Sequence, residues 1–119
     1  MDFNIDPSLS GSISYGISGL SHKKNKHFVI IGAGDLAFDY SLNLGKLNTV
    51  TILNRSDIPK CIPLLFKRVK IMKSFAYYQN AALKQVVRSG KDKLSIKYKS
   101  ASGDNYLIAD HLIFAIGRT

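Results

Sequence analysis

The chain has 119 residues, of which 45% are hydrophobic and 21% charged, and a net charge of +9. That suits one globular domain with its own core, and no apolar run approaches the roughly 18 residues of a membrane span. A single cysteine, Cys61, excludes an internal disulfide framework and suits a reducing compartment such as the cytoplasm.

The basic residues are dispersed, from Lys23, Lys24 and Lys26 through Arg55, Lys67 and Arg68 to Arg88. No dense block interleaves them with aromatics, which speaks against nucleic acid as a partner. Solvated faces account for most of this charge, and attraction of a phosphate-rich nucleotide is the next reading.

Residues 1–26 are rich in Ser and Gly and end in the polar run Ser21–Lys26, which reads as a lead-in rather than a core element. The stretch Met1–Pro7 is acidic and lacks an apolar region, so it is not a signal peptide. His27-Phe28-Val29-Ile30-Ile31 is a β-branched apolar run, expected as a strand buried on both faces. It leads into Gly32-Ala33-Gly34, a turn bare enough for a diphosphate to approach. A helix is expected from about Asp35, with its N-terminal N–H groups and positive dipole end aimed at that diphosphate. Ala37 is small enough for close packing on the strand, and Leu36, Ala37, Tyr40, Leu44 and Leu47 form the expected apolar face.

Asn48–Leu53 reads as a second strand, which completes a βαβ unit. After a connection marked by Pro59 and Pro63, a short helix is expected over Leu64–Lys67 and a third parallel strand over Val69–Met72. Leu94–Lys99 alternates apolar with polar between the turns Ser89–Asp92 and Ser102–Asn105. Its antiparallel neighbours are expected at Leu83–Arg88 and Tyr106–Ile108. Propensity alone allows a helix over residues 76–88, but the hairpin spacing favours strand. Leu112–Ile116 is a last apolar strand before Gly117. The expected fold is α/β: a Rossmann-like three-layer domain, its parallel sheet carrying an antiparallel three-strand meander on one face.

The binding chemistry centres on Gly32, Ala33, Gly34, Asp35 and Leu36. Asp35 gains from the helix dipole in the first turn and is not read as a catalytic base. No catalytic residue is assigned. Sites specific for NAD place an acid about 20 residues past the glycines to bind the ribose hydroxyls. The uncharged Asn54 stands there, while Arg55 and Lys60 suit a 2′-phosphate. NADP is therefore favoured, with NAD the alternative. His22, His27 and His111 lack metal-like spacing, so no metal site is expected. Cys61, between Pro59 and Pro63, reads as a half-buried thiol.

The Gly-x-Gly-Asp-x-Ala turn, a second strand ending in Asn54-Arg55, the meander, and Asp110-His111-Leu112-Ile113-Phe114-Ala115-Ile116-Gly117 together resemble one family. They are similar to the NAD(P)H-binding domain of two-dinucleotide-domain flavoprotein reductases, that is, pyridine nucleotide-disulfide oxidoreductases of the thioredoxin-reductase-like kind. The resemblance runs from about Tyr15 to Arg118. In that family the domain is inserted between two halves of an FAD-binding domain, and Ala115, Ile116 and Gly117 mark the return crossing beside the cofactor. The resemblance implies that residues 1–26 lead in from a missing FAD domain and that residues 27–119 bind NAD(P)H. It further implies hydride transfer from nicotinamide to an FAD held only by the full-length parent, which is expected to be a homodimer. By itself this piece is expected to bind nucleotide and reduce nothing.

Two departures refine the resemblance. Thioredoxin reductases carry a Cys-x-x-Cys pair where this chain has Tyr15-Gly16-Ile17-Ser18-Gly19-Leu20, so the cysteine-free ferredoxin–NADP reductase-like branch fits better. NADPH-selective members carry His-Arg-Arg where this chain has Asn54-Arg55-Ser56. The competing function is a non-enzymatic NAD(P)(H)-sensing Rossmann module, which would be expected to have an acid at position 54 and no meander. A structural domain with a decayed site is a third reading, suggested by Ser56.

Overall fold

Alternate residues of the strand β3 (His27–Ile31) divide between two cores, and this division sets the architecture. Phe28 and Ile30 enter one core and Val29 the other, all three fully buried. The computed structural model describes residues 4–17, 19–20, 22–59 and 63–115. The elements before β3 are β1 (Asn4–Ile5), a 3-10 helix (Pro7–Ser12) and β2 (Ile13–Ser14). After it come α1 (Asp35–Leu44), β4 (Thr49–Leu53), α2 (Pro63–Lys70) and β5 (Phe75–Tyr78). The chain continues through β6 (Ala82–Ser89), β7 (Lys93–Ser100) and β8 (Gly103–Ala109) to β9 (His111–Phe114).

Five strands form a parallel sheet in the order β2-β9-β3-β4-β5. The meander β6-β7-β8 is antiparallel, with β1 added parallel to β6. On one side of the parallel sheet, Ala37, Phe38, Leu44 and Val69 of the helices pack on Phe28, Ile30, Val50, Ile52 and Ile113. On the other, Leu83, Val86, Leu94 and Ile96 of the meander pack on Val29, Leu53, Leu112 and Phe114. Each large apolar side chain so buried contributes about 1.5–3 kcal/mol before entropy is counted. The three layers, the βαβ unit and the meander on one face agree with the sequence reading, and residues 76–88 hold strand rather than helix.

Three local expectations are corrected. Val69–Met72 is not a strand: α2 runs through Lys70, and the third parallel strand to follow β3 and β4 is Phe75–Tyr78. The reason is spacing. Leu65, Phe66, Val69 and Met72 recur at helical intervals and turn onto the core that holds Phe38. The Phe66 ring lies 5.4 Å edge-on from those of both Phe38 and Tyr77. In α1 the buried face is Ala37, Phe38, Ser41 and Leu44, while Leu36 and Leu47 are 43% and 54% exposed. Ser41 is tolerated there because its hydroxyl donates to the Ala37 carbonyl at 2.9 Å. The N-terminal stretch is also more than a lead-in: β1 and β2 each join a sheet, and Leu9 and Leu20 are buried, one in each core.

Candidate nucleotide site

The order β2-β9-β3-β4-β5 fixes where a ligand can lie. The chain steps from β3 to β4 to β5 in one direction and returns with β9 on the other side of β3. In open α/β sheets a ligand site lies beyond the carboxyl ends of the strands at such a switch point, which here falls between β3 and β9. Ile31, the last residue of β3, pairs with Leu53 on one side and Phe114 on the other.

The glycine turn begins at this row. Gly32 has φ +122°, a conformation that disfavours any side chain, and its N–H donates to the Leu53 carbonyl at 3.1 Å. Gly34 is the N-cap of α1 in extended conformation (φ −89°, ψ −175°) and brings no side chain to cap the first turn. Its carbonyl accepts the Phe38 N–H at 3.3 Å. Asp35 is exposed in that first turn, Leu36 stands beside it, and Ala37 is fully buried under the helix. From the far side, the Ala115 N–H donates to the Ile31 carbonyl at 2.9 Å. The fold thus brings Gly32, Ala33, Gly34, Asp35, Leu36 and Ala115 to one sheet edge. Lys60, Ile116, Gly117 and Cys61 lie outside the described residues.

Asn54 follows directly on β4, one strand over, and is 6% exposed. Its amide donates to the Ile58 carbonyl at 3.1 Å and to the Tyr77 hydroxyl at 2.9 Å, and its Oδ1 accepts the Ser56 N–H at 2.9 Å. Both amide protons are thereby committed to holding the loop of residues 54–58. Only Oδ1 keeps capacity toward a ribose hydroxyl. Arg55, next in the chain, is exposed.

Two aromatic residues at the same edge lie outside the expected binding set. Tyr15, which follows β2, stacks on Phe114 at 5.3 Å between centroids and 20° between planes, and is 71% exposed. The only sequence signal for it is its place directly after Ile13-Ser14, a strand too short for periodicity to show. Two surface hollows, of about 400 and 260 Å³, lie elsewhere and share no lining residue with the glycine turn. The site therefore rests on backbone geometry at the sheet edge. Among the described residues no three His, Cys, Asp or Glu side chains cluster as metal ligands do, and no helix is long and apolar enough to cross a membrane.

The sequence matches no protein-family model and no curated protein. Solved structures do match. A thioredoxin reductase from Lactococcus lactis superposes with a TM-score of 0.80 at 20% identity, over 89% of this chain and 36% of that one. A thioredoxin reductase from Gloeobacter violaceus gives 0.81 at 14% identity, over 100% of this chain and 38% of that one. The bacillithiol disulfide reductase Bdr from Staphylococcus aureus gives 0.77 at 18% identity, over 95% and 35%. What is shared is the fold, and the chain spans little more than a third of each of these structures. The resemblance read from the sequence holds at that level: the fold is that of one part of thioredoxin-reductase-like enzymes.

Proposed function

We propose that this chain, having the fold of one part of thioredoxin-reductase-like enzymes, is the NAD(P)H-binding domain of an FAD-dependent oxidoreductase and positions the nucleotide for hydride transfer to flavin. The observation that carries this reading is the backbone path from Ile31 through Gly32 and Gly34 into α1 at the switch point of the sheet. A diphosphate over Gly32–Leu36 would meet the helix N-terminus and its dipole, where negative charge is stabilised. From there the adenosine half runs toward Asn54 and Arg55 beyond β4, and the nicotinamide half over β9 toward Ala115, with Ile116 and Gly117 assigned to the same half by the family resemblance.

Arg55 and Lys60 are the proposed partners of a 2′-phosphate, which favours NADP over NAD. The flavin, which supplies the hydride acceptor, belongs to an FAD domain of the same cytoplasmic, homodimeric parent. No residue of this chain is given a catalytic role. The antiparallel meander packed on the parallel sheet supports this reading over a regulatory nucleotide-sensing module.

Calorimetric titration with NADPH of wild type and Gly34→Val tests it. The backbone of Gly34 is extended, so valine adopts it without strain, and the expected stability cost is about 1 kcal/mol for a poorer N-cap. Wild type is expected to bind and the variant, still folded, to have lost binding because its side chain blocks the diphosphate. Equal affinity in both places the nucleotide elsewhere, and no binding by wild type overturns the reading.

A further inference from the structure

We infer that Tyr15 is the shelf on which the nicotinamide ring rests, an inference that builds on the nucleotide reading above. Ser14 pairs with Ile113 in the parallel register of β2 and β9, so Tyr15 comes level with Phe114, and Phe114 pairs with Ile31. Tyr15, Phe114 and Ile31 form one row across the sheet ends, and the glycine turn begins at the next residue, Gly32. Strands lie about 4.8 Å apart, so Tyr15 stands about 10 Å from the glycine turn. That is the span from a diphosphate over α1 to the base of the attached riboside. The direction is also fixed, because Arg55 lies on the opposite side, beyond β4.

One face of the Tyr15 ring covers Phe114, which is only 4% exposed, and Tyr15 as a whole remains 71% exposed. A leucine or methionine would shield Phe114 equally well. A flat ring stacked on a buried ring instead offers a second, parallel face, which suits a planar aromatic ligand. The next residue, Gly16, lies beside α1, where a Cβ would be in ordinary contact with the Tyr40 hydroxyl at 3.6 Å. Tyr15 is thus a nucleotide-binding and positioning residue with no part in bond making.

The test compares two probes, NADPH and 2′-phospho-ADP-ribose, which lacks only the nicotinamide. Both are titrated into wild type, Tyr15→Phe and Tyr15→Ala, and a thermal melt of each confirms folding. Tyr15→Ala is expected to weaken NADPH binding by about three- to tenfold, the range of an aromatic stack. It should leave 2′-phospho-ADP-ribose unchanged, and Tyr15→Phe should keep wild-type affinity for both probes. Equal losses for the two probes, no loss for either, or failure of Tyr15→Phe to bind NADPH normally overturns the shelf. If wild type binds 2′-phospho-ADP-ribose, the nucleotide reading survives that outcome. If wild type binds neither probe, both fall together.

Discussion

Asp110 and His27 bond to each other twice where the meander hands the chain back to the parallel sheet. The carboxylate of Asp110 accepts the His27 N–H at 2.8 Å, and the Asp110 N–H donates to the His27 carbonyl at 2.9 Å. Lys93 holds the other carboxylate oxygen at 2.5 Å. Burial alone would raise the Asp110 pKa, but the Lys93 and His27 bonds and the charges of Lys93 and Lys26 outweigh it and lower it. A depressed carboxylate stabilises the fold above its unfolded pKa of about 3.9, and the contribution disappears as pH falls through the folded value. Asp110→Asn is therefore expected to cost about 1 kcal/mol at pH 7, since the pair is partly exposed. The deficit should begin to shrink in urea titrations as the pH falls below about 3.9 and vanish only below the depressed folded value.

The His111 ring titrates in a different window. Burial, and then the charge of Lys23, lowers its pKa from the ordinary 6.5. The Ser14 hydroxyl donates to the Gly16 carbonyl at 2.9 Å, so its oxygen accepts from His111 Nε2–H at 3.1 Å. In the window between the two values the unfolded chain holds more protons than the folded one. Stability is full above pH 6.5 and falls as the pH drops below it. Thermal midpoints of wild type are expected to decline between pH 7 and 5, and His111→Asn should flatten that slope. An unchanged slope in the variant removes His111 as the cause.

Gly45, the C-cap of α1, has φ −68°, so backbone conformation does not demand glycine there. Propensity alone would predict that Gly45→Ala stabilises by about 0.4–1 kcal/mol. Space predicts the reverse. A Cβ would lie 2.6 Å from the Ser41 carbonyl oxygen and would also run into the Met72 methyl group. The methionine can turn aside, whereas the carbonyl moves only with the helix. Overpacking of this kind costs about 1–3 kcal/mol, so denaturant midpoints should fall for the alanine variant.

Cofactor choice is tested at Arg55. A charge-assisted contact to a 2′-phosphate is worth about 1.5–3 kcal/mol, so Arg55→Ala should weaken NADPH binding at least about tenfold. NADH binding should hardly change, and salt should narrow the wild-type preference for NADPH. Because Ser56 stands where NADPH-selective members of the resembled family carry a second arginine, that preference should be smaller than a full His-Arg-Arg site gives. Equal losses for both nucleotides, or a wild-type preference for NADH, would reject the assignment.

What was legible in the sequence follows from how local each cause is. β3, with its continuous apolar run, and β7, with its strict alternation, declare themselves within a few residues. So does the glycine turn, because its conformation is a matter of backbone alone. The third strand was misplaced because Val69-Lys70-Ile71-Met72 is a short apolar-rich run with two β-branched residues, which reads locally as a strand. What makes Val69 helical is its register with Leu65 and Phe66 against Phe38, a partner far back in the chain. The same holds at the site. The position of Asn54 was readable, but its commitment to Tyr77 and to the carbonyl of Ile58 depends on how β5 lies beside β4. β1 and β2, at two residues each, are too short for any period.

Those two short strands bear on how the domain comes into being. Asn4 pairs with Gln85 and Ile13 with Leu112, so the segment ahead of β3 waits for partners that follow it by about 80 to 100 residues. β3 likewise has no neighbour on its β9 side until His111–Phe114 has been synthesised. On the ribosome the βαβ unit can assemble early, but it must do so with one sheet edge open and Val29 and Leu53 bare on the face the meander later covers. Closure of such distant pairs makes folding slow, and the nascent chain presents an adhesive apolar sheet face throughout that interval.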